Sequence, residues 1–274
     1  MSKALLPEGN YVDLSAGMRL HYQDLGKGYP GLFLQGSGSG ASGWSNFQYN
    51  APAFVEAGYR VLLIDLPGYG FTSKPTDVDY TLDYFIGYVN EFLEKLGVDK
   101  LALVGNSLGG AIAIGFALKY PQKAEKLILM SPGGIEDTPD YFAMPGMALM
   151  KQVFMQGAVS RDSLAEFIRK GLVYDAADAS DEMIDQRWQV FQLQNDQVIK
   201  SMRVPNLTDR LGEIDCPVLV FWGINDQMMP ETGILKLAKG LKNMRMVVVS
   251  ECGHWFMVEH TARFNKDSLE FLGE

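Results

Sequence analysis

The sequence predicts an α/β fold: a mostly parallel sheet with helices on both faces and an inserted helical lid. Short apolar runs alternate with helical patterns along most of the 274 residues. The runs lack the in–out alternation of a half-wet sheet, as strands covered on both faces do. One long segment, about residues 135–211, breaks the alternation and offers no convincing strand. Alternating strands and helices point to a three-layer sheet, and a break of that size to an insertion on it.

Residues 11–14 and 18–24 read as a starting antiparallel pair, joined through Ser15-Ala16-Gly17. Strands follow at 31–34, 60–64, 101–104, 127–130, 217–222 and 246–249. Helical patterns lie at 46–57, 82–96, 111–120, 233–241 and 261–272. The organisation expected is a core of residues 1–134 and 212–274 with a lid of residues 135–211. The lid is rich in Met and Phe: Phe142, Met144, Met147, Met150, Phe154, Met155, Phe167, Met183 and Phe191. Met adapts to varied apolar shapes, which suits a cover over a hydrophobic pocket. For most of these residues individually, packing of the lid onto the core is the simpler reading. The chain has no internal repeats and no low-complexity tracts.

Composition narrows the function. An apolar fraction of 47% is that of a globular chain with a sizeable core. A net charge of -9 argues against nucleic acid or an anionic membrane as partner. The first residues carry no apolar h-region and no stretch could span a bilayer, so a cytoplasmic protein is expected. Cys216 and Cys252 lack metal or redox spacing and read as free packing residues. No metal or cofactor is called for, the partner expected is a small-molecule ester or carbonyl compound, and homo-oligomerisation is left open.

Gly105-Asn106-Ser107-Leu108-Gly109 carries the chemistry. It is a G-x-S-x-G motif between an apolar strand and a small, apolar helical stretch that stops before Pro121. Strand, sharp turn and helix together lift a serine to the top of a sheet as a nucleophile. The turn leaves no room for side chains two residues either side, hence the glycines. The helix N-terminus offers N–H groups to a developing oxyanion.

A serine hydroxyl needs a base, usually a histidine oriented by a carboxylate. Of the three histidines, His21 precedes the serine, and His260 begins the last helix and reads as its cap. His254 follows the last strand, in Gly253-His254-Trp255, and is the expected base. Asp226, at the end of 218–226, is the expected orienting acid. Asp65, before the serine, reads as holding its own Pro-Gly turn. The oxyanion hole would pair the Leu108 N–H with that of Ser37, in the glycine-rich loop Gln35-Gly36-Ser37-Gly38-Ser39-Gly40. That loop lacks the spacing of a phosphate cradle.

These stretches, with Gly43-Trp44-Ser45-Asn46-Phe47 and Asp65-Leu66-Pro67-Gly68-Tyr69-Gly70, resemble the α/β-hydrolase superfamily and most of all its meta-cleavage-product hydrolase branch. The resemblance runs from about Gly9 to Phe271. That branch cleaves C–C bonds in vinylogous 1,5-diketone acids formed by ring opening of catechols. By position it implies that Asn46, Asn106, Arg187 and Trp255 line a polar subsite where Arg187 binds the substrate carboxylate. An arginine's fork suits a carboxylate. Without the resemblance, Arg187 reads as a solvated lid residue and Trp255 as packing. Two departures stand out: Gln35 replaces a histidine, and Ser39 a proline that stiffens the loop.

Ester hydrolysis needs only nucleophile, base and oxyanion donors, and many proteins of this scaffold cleave simple esters. C–C hydrolysis asks for more, because the dienol must be ketonised before a stabilised carbanion can leave. The sequence therefore leads to the expectation of a carboxylesterase acting on small to medium alkyl or aryl esters through an acyl-enzyme. C–C hydrolysis of 2-hydroxy-6-oxo-dienoate substrates is the alternative. A non-catalytic receptor on the same fold is remoter, given Ser107, Asp226 and His254.

Overall fold

A computed structural model describes residues 6–155 and 159–274 of the chain. Residues 1–5 and the Met155 side chain, both used above, lie outside the described residues. Among the described residues eight strands form one sheet: β1 Asn10–Asp13, β2 Arg19–Leu25, β3 Pro30–Leu34, β4 Arg60–Ile64, β5 Leu101–Asn106, β6 Ala124–Met130, β7 Val218–Gly223 and β8 Met244–Val249. Their order is β1-β2-β4-β3-β5-β6-β7-β8. The pairs β1–β2 and β2–β4 are antiparallel, and every later pair is parallel.

Successive residues of a strand go to opposite faces, and in β3 to β7 both faces are dry. Leu32, Leu34, Leu103, Leu127, Leu129 and Trp222 join one core, under the helices Leu82–Lys95 and Leu108–Lys119. Phe33, Val104, Ile128, Met130 and Phe221 join a second core on the other face, with Phe256 and Phe264. Helix Leu82–Lys95 buries Leu82, Phe85, Ile86, Val89, Phe92 and Leu93, a stripe at helical spacing, and Thr81 caps its start by accepting from Tyr84 N–H. Truncating fully buried Phe92 to Ala would cost about 3–5 kcal/mol. Helix Leu108–Lys119 has no polar face: Leu108 to Ala117 are all buried, so it lies inside the molecule.

The sequence expectation of one helix over 46–57 needs correction. Two short helices, Gly43–Phe47 and Ala51–Glu56, occupy that stretch. Pro52 explains the break, because it has no N–H to continue the first helix and is tolerated in the first turn of the second. His260 does occupy the N-cap of helix Thr261–Gly273, yet its side chain makes no capping bond and its ring packs on Phe256 instead.

Between β6 and β7 the described residues form helices: Thr138–Phe142, Pro145–Met155, Arg161–Phe167, a π turn Ile168–Leu172, Asp181–Phe191 and Gln197–Ser201. Phe167 and Met183 are buried, and Met147, Met150, Phe154 and Phe191 pack partly buried against the second core. Phe142 points outward, 65% exposed. Among the described residues no helix is long and apolar enough to cross a membrane.

The topology locates a crevice. From β3 the chain moves outward to β4, then returns to β5 on the other side of β3. Ligands bind at such a reversal, beyond the carboxyl ends of the strands. Leu34 pairs with Gly105 there, so the loop after β3 and the turn after β5 leave the sheet side by side.

Candidate active site

Ser107 sits in that turn with φ 55° and ψ -115°, a left-handed backbone that few non-glycine residues adopt. Its N–H donates to the Met130 carbonyl at 3.0 Å, and its carbonyl accepts from Gly133 N–H at 2.9 Å. A Cβ on Gly105 would lie 2.3 Å from the Gly109 oxygen, and one on Gly109 would lie 2.0 Å from the Leu34 oxygen. The spacing of glycines around the serine is thus a steric requirement of the turn. Ser107 is 6% exposed.

Asp226 and His254 lie beyond the ends of β7 and β8. The two loops cross so closely that a Cβ on Gly223 would stand 2.2 Å from the Gly253 oxygen, and Asn225 N–H donates to the Cys252 carbonyl at 3.0 Å. Asp226 Oδ1 accepts from the N–H groups of Met228 at 2.7 Å and Met229 at 3.0 Å. That leaves Oδ2 to accept the Nδ1 proton of His254 at 2.8 Å. The ring is held with Nε2 as its acceptor nitrogen, the tautomer a general base needs. Both side chains are buried. Ser107 and His254 are brought to one neighbourhood by Asn106, whose Nδ2 donates to the His254 carbonyl at 3.4 Å. No Ser107–His254 side-chain hydrogen bond forms; catalytic bonds of this kind often tighten only around substrate.

A Cβ on Gly36 would lie 3.3 Å from the Ser107 Cβ, so the loop carrying Ser37 passes directly beside the serine. The Leu108 N–H opens helix Leu108–Lys119 on the other side. Ser37 thus follows the residue that touches the serine, and Leu108 is the serine's own chain neighbour. Gln35 is completely buried, and neither its Oε1 nor its Nε2 finds a partner.

The polar residues form one chain. Arg187 lies on helix Asp181–Phe191, and its Nη2 donates to Asn46 Oδ1 at 2.7 Å. Asn46 Nδ2 donates to Asn106 Oδ1 at 3.4 Å, one residue from the serine. The guanidinium stacks 4.2 Å over the Trp255 ring, beside the histidine. Arg187 is 1% exposed, so the sequence-level reading of a solvated arginine fails. Burial lowers its pKa to about 9, which leaves it cationic at neutral pH. Its Nε has no acceptor, and the recorded polar partner of its guanidinium is a neutral amide. A buried cation without a carboxylate is costly, and a bound anion would relieve that cost.

His21, set aside in the sequence by chain order, makes a second buried pair, Nδ1 to Asp65 Oδ2 at 2.8 Å. Asp65 also accepts from Phe71 N–H at 2.9 Å, which holds its own turn as expected, and from Gly43 N–H at 2.8 Å, which ties in a second stretch the sequence did not point to. Sequence reasoning missed Glu259, whose carboxylate accepts main-chain N–H groups on both sides of His254. A glutamate on a helix carries no local mark of that role; its place five residues after the histidine was the only hint.

Comparison with known proteins fits this geometry. A family model described as alpha/beta hydrolase fold matches residues 28–261. A 2-hydroxy-6-oxononadienedioate/2-hydroxy-6-oxononatrienedioate hydrolase of Paraburkholderia phymatum is 38% identical, covering 96% of this chain and 95% of its own. A 2-hydroxy-6-oxo-6-phenylhexa-2,4-dienoate hydrolase of Comamonas testosteroni is 36% identical, covering 92% of this chain and 91% of its own. Among solved structures, the meta-cleavage product hydrolase CumD of Pseudomonas fluorescens superposes with a TM-score of 0.84 at 26% identity, over 97% of both chains. These names overturn the carboxylesterase expectation. Ester chemistry is the simpler of the two, yet the relatives that match nearly end to end are named for dienoate acids. The alternative of C–C hydrolysis is the better supported.

Proposed function

The chain belongs to the alpha/beta hydrolase fold family, and from that premise we propose that it hydrolyses a C–C bond in acids of the 2-hydroxy-6-oxo-dienoate type. Arg187 carries the reading. A buried guanidinium bound to Asn46, with Asn106 linking Asn46 to the serine, is a receptor for a carboxylate at a fixed distance from the nucleophile. The substrates named for the relatives share that feature, a carboxylate on a 2-hydroxy dienoate end.

In this reading Arg187 anchors the carboxylate, with Trp255 against its face and residues 135–211 as the lid. The 2-hydroxy dienol takes its keto form, so that an electron pair can leave on carbon. Ser107 Oγ adds to the distant carbonyl carbon as His254 Nε2 takes the hydroxyl proton and Asp226 steadies the imidazolium. The N–H groups of Ser37 and Leu108 hold the oxyanion. The C–C bond breaks towards the dienoate fragment, whose carbon receives the proton from His254, and the acyl group stays on Ser107. Water, deprotonated by His254, releases it as the second acid.

The test is kcat/KM for a ring-fission acid and for a neutral aryl ester, in wild type and Arg187→Ala. The acid reaction should fall roughly 100-fold or more, the scale of a lost charge-assisted bond in a dry site. The ester reaction should change little by comparison. Equal losses on both substrates, or no turnover of the acid by wild type, would refute the reading.

A further inference from the structure

Glu259 closes the helix Phe256–Glu259, and its side chain turns back onto the loop that carries His254. Oε2 accepts from Gly253 N–H at 2.8 Å, and Oε1 from Trp255 N–H at 3.1 Å. Between them, the His254 N–H donates to the Leu172 carbonyl at 2.8 Å. The successive N–H groups of residues 253, 254 and 255 are therefore committed to Glu259, to Leu172 and to Glu259 again. The same Oε2 also accepts from Tyr174 N–H at 2.7 Å. Leu172 ends the π turn Ile168–Leu172, a form of helix that often marks functional sites. A Cβ on Gly253 would stand 2.9 Å from the Leu172 oxygen and 3.0 Å from the Tyr174 nitrogen, so the two stretches of backbone touch.

We propose that Glu259 is a positioning residue for the base: one carboxylate locks the main chain on both sides of His254 to the Leu172–Tyr174 turn, and so sets where the imidazole stands relative to Ser107. The proposal rests on the reading of His254 as the base. Burial raises the Glu259 carboxyl above the usual carboxylate range, even against three N–H bonds that pull it down. Besides the Cys252 thiol at 3.9 Å, its partners are main-chain N–H groups, and a carboxylate accepting from such groups makes charge-assisted bonds, stronger than neutral ones. Asp226 fixes which nitrogen of the ring faces the serine. Glu259 fixes the backbone from which that ring hangs.

A displacement of about 1 Å at a catalytic group can cost on the order of 100-fold in rate. The test measures kcat and KM for a ring-fission acid, together with the second-order rate at which a serine-directed phosphonate labels Ser107. Two variants are compared with wild type: Glu259→Gln, which keeps one acceptor oxygen, and Tyr174→Pro, read against Tyr174→Ala so that loss of the lid's N–H donor is separated from loss of the half-exposed phenol. Val173 is extended, a conformation that a following proline accepts. In Glu259→Gln, kcat and the labelling rate should fall together by about 10- to 100-fold, with KM within about threefold. Tyr174→Pro should move both in the same direction by a smaller factor. Rates within twofold of wild type in both variants would overturn the proposal, as would a rise in KM at constant kcat. Should Glu259→Gln fail to fold, Tyr174→Pro decides alone. A wild-type protein that is labelled but does not turn over the acid refutes the substrate reading only, and the labelling rates still judge Glu259.

Discussion

Ser107 shows what a single residue gives up to stand where the proposed nucleophile must. Its φ of 55° lies where only glycine is at ease, a strain on the order of 1–3 kcal/mol. Ser107→Ala should abolish turnover, by about 10⁴-fold or more, with the fold intact. Ser107→Gly should also be inactive, but more stable. Relief of strain outweighs the added freedom of the unfolded chain by about 1 kcal/mol, or roughly 2 °C in Tm. A melting temperature below wild type would mean that the turn is not strained. This part of the site was legible in the sequence because sterics write it there: no other residue than glycine fits at 105 and 109. Arg187 and Glu259 were not legible in the same way. Nothing local distinguishes a buried arginine from a wet one, and the partners of Glu259 come from residues 174, 253 and 255.

The loop after β3 and helix Asp181–Phe191 are separate elements that meet at Gly40. Gly40 N–H donates to Gln194 Oε1 at 3.2 Å, and a Cβ there would stand 2.1 Å from the Arg187 carbonyl oxygen. Its φ of +67° adds a second reason for glycine. The element that carries the proposed Ser37 donor therefore leans on the element that carries the proposed carboxylate receptor, Arg187. Gly40→Ala should push the two apart and lower both kcat and affinity for a dienoate acid, by about 10-fold or more in kcat/KM. Activity equal to wild type would show that the contact is incidental. At this scale the sequence marks the inner strands β3 to β7 plainly, since each is a dry run between turn residues. It misjudged the stretch 46–57, where apolar spacing was read as continuous helix and the missing N–H of Pro52 was overlooked.

The molecule as a whole carries a net charge of -9, yet the proposed substrate is an anion and its receptor is one buried arginine. At low ionic strength the overall field opposes the approach of an acid, and salt weakens that field within a Debye length of about 8 Å near 0.15 M. Raising salt from about 10 mM to about 150 mM should increase kcat/KM for a dianionic acid by roughly twofold, and leave a neutral ester unchanged. A fall with salt would show that attraction by the Arg187 region dominates the encounter. The fold class and the layering were readable from alternation alone. Which surface of the insertion meets which loop was not, because those contacts join residues far apart in sequence.

Main-chain groups of residues 135–211 add to the side chains that hold this segment on the rest of the chain. The Leu172 carbonyl meets the His254 N–H, the Tyr174 N–H meets Glu259, and the Gly146 N–H meets the Gln227 carbonyl at 2.8 Å. Main-chain groups are the same whatever side chain they bear. Met and Phe residues of this segment that lie outside the buried core can therefore be exchanged over evolutionary time, and the range of substrates altered, while these main-chain bonds stay put. A lineage could diversify in what it degrades without rebuilding the apparatus that does the cutting.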